Sequence, residues 1–228
     1  MQRERLTASS YLLLSANLVP LIGVLFFNWD AVLVLALFWM ENLLIGFFNL
    51  VKITAVSFLN KELSGLSAGA FFFVHYGAFC AAHGLLLMDL LDYSIKDTAE
   101  LFNINSAGVF TLYLEGAAVF FTLTRDLAPL IWYGLAGLVI SRLGSFVENF
   151  ILNGEIFSVK ARQLMAQPYS QIIVMHIGLL LGAVLLQRFG SPVWLLASLV
   201  ILKVIIDFTQ FRRRHTRVRS VPQQINDI

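Results

Sequence analysis

The sequence predicts an all-α, polytopic bundle of transmembrane helices, and three observations carry that expectation. The 228 residues are 58% hydrophobic with a mean hydropathy of +0.79, more apolar surface than one compact core can hide from water. Lys, Arg, Asp and Glu make up only 13% of the chain, about half of the roughly 25% usual in soluble domains. The apolar residues also fall into runs of about 20, the length a helix needs to cross a hydrocarbon core of about 30 Å. Such a composition excludes intrinsic disorder. A lone cysteine, Cys80, excludes an internal disulfide, and its apolar neighbours predict a buried, inert thiol.

Six runs read as spans. The first, Tyr11 to Phe27, ends at Asn28-Trp29-Asp30. Its apolar stretch is longer than that of a secretory signal and no small-x-small cleavage site follows, so it reads as a retained helix. The second covers Ala31 to about Thr54, before Asn60-Lys61-Glu62 breaks the pattern, and the third covers Ala68 to Leu91, ending among Asp89, Asp92, Asp97 and Glu100. The fourth starts after Arg125-Asp126 and continues to about Leu152. Asn153-Gly154 signals a turn, and Pro168 suits the start of the fifth span, Ser170 to Gln187. A tight turn, Arg188 to Pro192, leads into the sixth, Val193 to about Thr209, with Pro192 suited to a first helical position.

A seventh apolar segment, Ser106 to Thr124, carries Glu115. Cytoplasmic loops are rich in Lys and Arg. Arg3, Arg5 and Lys61 put the N-terminus and the loop after the second span inside. Lys160, Arg162 and the arginines of the tail then fall inside only if residues 106–124 do not cross. The expectation is therefore six spans, both termini cytoplasmic, and residues 106–124 as an extracytoplasmic interfacial or re-entrant helix. Residues 1–210 read as a single transmembrane domain. Residues 211–228 read as a basic tail: Arg212, Arg213, Arg214, Arg217 and Arg219 face one acid, Asp227. This tail suits anionic lipid headgroups rather than nucleic acid.

Ionisable groups inside spans are costly and mark function by default. The second span carries Glu41, Asn42, Asn49 and Lys52. Glu41 and Lys52 share a helix direction but stand about 16 Å apart along the axis, so each needs a partner on another helix. The asparagines read as interhelical hydrogen-bond glue. His75 and His83 lie about 12 Å apart on the third span, which rules out a same-turn metal pair. Counted from the ends of the apolar runs, His75 and His176 lie at similar depth, about 10 Å from the cytoplasmic side. Asp207, Arg142 and Lys203 complete a polar layer. Three chemistries fit it: a zinc-like divalent metal on His75, His176 and Asp207; a proton path using Glu41, His75, His83 and His176; or purely structural pairing, with Asp207 on Arg142 or Lys203. Glu155, in the loop before the fifth span, reads as a solvated acid.

The strings Trp39-x-Glu41-Asn42 with Gly46, Asn49 and Lys52, then His75-Tyr76-Gly77, then Pro168-Tyr169 with His176, resemble an uncharacterised family of bacterial integral membrane proteins, a domain of unknown function. The resemblance implies a multi-span protein without naming a reaction, and it points to Glu41, Asn42, Asn49, Lys52, His75, His83, His176 and Asp207. Where this chain has Arg142 and Phe211, the family pattern has histidine. A fixed cation in place of a neutral ligand repels a metal and favours an Arg142–Asp207 ion pair or an anion site. The leading expectation is metal or proton handling in transport. A metal-dependent intramembrane hydrolase and a non-catalytic homodimeric or partner subunit are the alternatives.

Overall fold

The computed structural model describes residues 20–101 and 110–219, with residues 98, 99, 101 and 206–219 described as backbone alone. Every regular element among them is helical, and no strand occurs among the described residues. In chain order, after a helical stretch over residues 20–26, they are α1 (Ala31–Leu59), α2 (Leu63–Leu90), α3 (Lys96–Leu101), α4 (Thr111–Asp126), α5 (Leu130–Ser145) continued by a π-helical segment Phe146–Leu152, α6 (Glu155–Ser158), α7 (Ala161–Ala166), α8 (Tyr169–Phe189) and α9 (Pro192–Arg219). Among the described residues, four helices are long and apolar enough to cross a membrane: Ala31–Leu59, Leu63–Leu90, Leu130–Leu152 and Ala161–Phe189. They correspond to the expected second to fifth spans. The first expected span lies mostly outside the described residues.

Local chemistry sets the boundaries. Asp30 caps α1 by accepting from the Val32 amide at 2.8 Å, satisfying one of the orphan donors of a helix start. Gly154 takes φ +71° at the predicted Asn153-Gly154 turn, a conformation open to glycine without steric cost. Pro192 opens α9 as expected. Residues 106–124 resolve into a helix that starts later, at Thr111, and ends at Asp126; residues 102–109 lie outside the described part. At 1.5 Å per residue this helix is about 24 Å long, short of a full crossing.

The chain divides into two compact units, Asp30–Ile177 and the residues on either side of it. In the first, α1 is central and packs against α2, α5, α6 and α7. Contacts give the directions. Trp39 meets Gly84 and Tyr76 meets Gly46, so α1 and α2 are antiparallel; Leu37 meets Gly134 and, further along both helices, Glu41 meets Arg142, so α5 runs parallel to α1. Tyr113 reaches Val74 and Gly77, and Gly116 meets Ala81, so α4 runs parallel to α2. Ile53, Val56, Phe72, Tyr76, Cys80, Phe150 and Leu164 form one buried cluster, and Cys80 is a buried free thiol as expected. In the second unit, Gly178 and Gly182 of α8 lie against Leu199 and Leu195 of α9, and Ser198 Oγ donates to the Gly178 carbonyl at 2.8 Å. Small residues let the two helix backbones approach this closely.

Candidate functional site

The polar groups of the first unit are sorted into pairs, each joining two helices. Glu41 on α1 accepts from the Arg142 guanidinium on α5. Lys52, three turns further along α1, donates to Glu155 on α6 at 2.9 Å and stands 5.0 Å from the centre of the Phe150 ring. Both charges of α1 thus find partners on other elements, as their separation along the helix requires. One expectation is extended here and another corrected. Arg142 is an ion-pair partner of Glu41, which the sequence did not assign to it, and Glu155 is a half-buried ion-pair partner rather than a solvated loop acid. The side chain of Asp207 lies outside the described residues.

The histidines pair across α2 and α8. His75 Nδ1 is 2.8 Å from the Tyr169 hydroxyl, and His83 Nε2 is 3.0 Å from His176 Nδ1. Both pairs ascend together along the two helices, so α2 and α8 are parallel. His75 and His176 therefore stand about two turns, or 12 Å, apart along α2, instead of at one depth. The misreading has a physical source: the span containing His176 begins at Ala161, well before Ser170, which carries His176 deeper. Imidazoles that far apart cannot share one metal ion, whose bonds to nitrogen are about 2.0–2.1 Å. Among the described residues, no group of three or more His, Cys, Asp or Glu comes together to hold a metal.

The His83–His176 pair has a defined proton order. His83 Nδ1 lies 2.6 Å from the Phe79 carbonyl oxygen, which can only accept, so Nδ1 carries a proton. In neutral His83 the Nε2 is then a lone pair, and His176 Nδ1 must donate to it. This leaves Nε2 of neutral His176 as a free base, on an exposed residue, while His83 is 4% exposed. Phe79 also stands between the two histidines of α2, its ring centroid 5.0 Å from that of His75 and 5.9 Å from that of His83.

The asparagines divide. Asn49 Nδ2 donates to the Leu164 carbonyl at 2.9 Å, an interhelical bond of the expected kind, near the end of α7 where Pro168 interrupts the helix. Asn42 Nδ2 donates to Phe38 O of its own helix at 2.9 Å and contacts Met175 Sδ on α8 at 3.3 Å. Trp39 donates to the Cys80 carbonyl at 2.8 Å, and Tyr76 Oη to the Asn42 carbonyl at 3.1 Å. Sequence reasoning missed Tyr169 and Glu155 as partners. Tyr169 carried a usable signal, since it lies seven residues before His176 and so on the same helix face.

Beyond these helices, Tyr93 and Arg125 both hydrogen bond to Asp126. The bond from Arg125 holds the Asp126 carboxyl below the usual range, and burial, followed by the charge of Asp126, raises Tyr93 above the usual phenol value.

A family model described as a family of unknown function (DUF6498) matches residues 1–224. No curated protein and no solved structure matches the chain.

Proposed function

We propose that this chain, which belongs to the DUF6498 family of unknown function, is a six-span protein of a bacterial inner membrane in which the His83–His176 pair takes up and releases protons during transport. Helix directions support the topology. With α2 parallel to α8 and α1 parallel to α5, a re-entrant α4 keeps both relationships, whereas a full crossing by α4 would reverse them. The cationic loops then face the cytoplasm with both termini, and the arginine-rich tail lies on anionic headgroups.

One observation carries the proton reading: a buried imidazole whose Nδ1–H is held by Phe79 and whose lone pair receives the Nδ1–H of an exposed imidazole. A proton arriving at His176 Nε2 lets the Nδ1 proton of His176 move to His83 Nε2. His83 is then the cation only in passing, because a buried ring holds a charge at higher cost than an exposed one, and no side chain has to move. Imidazole titrates near neutral pH, where such exchange is useful. The ion pairs of Glu41 and Lys52 neutralise the other charges of α1.

The test is proton flux in proteoliposomes carrying an imposed pH gradient and a clamped potential. Wild-type protein should conduct protons, with His176→Ala and His83→Ala each lowering flux at least tenfold. Flux equal to that of empty vesicles, or unchanged in both variants, would remove the proton reading.

A further inference from the structure

Two hydrogen-bonded pairs join α2 to α8, and a phenylalanine separates them. His75 meets the Tyr169 hydroxyl at 2.8 Å and His83 meets His176 at 3.0 Å; the two histidines of α2 are about 12 Å apart along the axis. Phe79 lies midway, its ring centroid 5.0 Å from that of His75 and 5.9 Å from that of His83. On α8 the residues three and four beyond Tyr169, on its face by helical spacing, are Ile172 and Ile173. The other ionisable side chains of this stretch of α2, Tyr76 and Cys80, hydrogen bond to one another, and the Tyr76 hydroxyl is turned to α1, where it donates to the Asn42 carbonyl.

A proton crosses only between heavy atoms in hydrogen-bond contact, about 2.7–3.2 Å apart. His83 receives one at Nε2 from His176, and its other nitrogen offers no way on. The Nδ1–H rests on the Phe79 carbonyl, 2.6 Å away, and an amide oxygen accepts the hydrogen bond without taking the proton. Beyond it, towards His75, stands the Phe79 ring. Residue 79 thus closes the path twice, with its carbonyl and with its side chain.

We infer that Phe79 is the restriction in proton passage along α2 and α8: its ring parts the His83–His176 pair from the His75–Tyr169 pair, the next acid–base group of these helices towards the cytoplasm, and sets the flux between them. The inference rests on the proton reading of the His83–His176 pair. Ring spacing shows what would lift the restriction. His83 and His176 bond with their ring centroids 5.2 Å apart, so an imidazole in the place of the Phe79 ring, 5.0 and 5.9 Å from its neighbours, comes within bonding range of both. Phe79 is 39% exposed, so a polar side chain there displaces nothing from the buried cluster.

The test measures proton flux in vesicles holding the full chain, under an imposed pH gradient and a clamped potential, for wild type, Phe79→Leu, Phe79→Ser and Phe79→His. Phe79→Leu, which keeps the break apolar, should stay within about twofold of wild type. Phe79→His should raise flux at least about tenfold, and His75→Phe should cancel that gain. Phe79→Ser, which opens the space to water, should raise flux at least about threefold and carries the test if Phe79→His does not fold. A gain in neither polar variant, or an equal gain in Phe79→Leu, overturns the restriction; where wild-type flux is still lost in His176→Ala, the proton reading stands without it. A gain that survives His75→Phe overturns His75 as the far side of the break. A gain in Phe79→His over a wild type no faster than empty vesicles keeps the restriction and removes the proton reading of the native chain, and no flux in any of them removes both.

Discussion

Glu41 and Arg142, 101 residues apart in the chain, form an ion pair between the two parallel helices α1 and α5. Their side chains are 14% and 33% exposed, and both lie within helices long and apolar enough to cross a membrane. Removing one partner strands a charge in apolar surroundings, at a cost of about 2.5–3.5 kcal/mol. Glu41→Gln and Arg142→Met are each expected to lower the unfolding midpoint of the vesicle-embedded protein, and the double variant to lose less than the sum. Strictly additive losses would show that the two side chains act independently.

Lys52 ties α1 to the short helix α6 through Glu155, with the Phe150 ring beneath the ammonium. Half-buried pairing of this kind is worth about 1 kcal/mol. Glu155→Gln should speed limited proteolysis within residues 153–160 about fivefold, and Lys52→Met should do the same. Opposite effects from the two variants would mean that the loop is held by something else.

Glycine substitutions should differ in sign by position. A Cβ at Gly84 would fall 2.6 Å from the Trp39 ring, whereas one at Gly137 meets nothing within 4 Å. Overpacking costs about 1–3 kcal/mol, while replacing a helical glycine by alanine gains up to about 1 kcal/mol. Gly84→Ala should therefore destabilise and Gly137→Ala be neutral or stabilising, as read from thermal unfolding of each purified variant. A stabilising Gly84→Ala would mean that Trp39 does not pack where it is described.

The cluster of Tyr93, Arg125 and Asp126 should loosen at acidic pH. Arg125 lowers the Asp126 pKa in the folded protein, so the stabilisation is fully present above the unfolded carboxylate value and is lost as pH falls through the lowered folded value. Tyr93 fluorescence, assigned by Tyr93→Phe, should change in that acidic window, and Asp126→Asn should abolish the change. A transition that persists in Asp126→Asn would assign it to another carboxylate.

Much of the scaffold was legible because lipid imposes simple rules. Run length and composition located the four helices that are long and apolar enough to cross a membrane, and the need of Glu41 and Lys52 for partners on other helices followed from rise per residue alone. The identities of those partners did not follow, since nothing in a linear pattern relates the azimuth of α1 to that of α5 or α6. His176 illustrates the same limit in depth. The polar residues from Lys160 to Gln167 looked like a loop, yet Ala161–Ala166 is helical and continues the span, which moves His176 from the level of His75 to that of His83. Asn42 and Asn49 looked equivalent by spacing, but only tertiary packing separates the Asn49 amide, bonded to Leu164 on another helix, from the buried Asn42 oxygen, which no donor reaches among the described residues.

Titration of the histidine pair by nitrogen-15 NMR in lipid vesicles, with His83 and His176 assigned by single substitution, tests the proton reading at its source. At neutral pH both residues are expected as the Nδ1–H tautomer. On acidification the pair should take up one proton before any second, with the charge resting on the exposed His176, protonated at both nitrogens, while His83 keeps its Nδ1–H form. His83 found as the Nε2–H tautomer, or two histidines titrating independently of each other, would contradict the shared-proton arrangement and the function built on it.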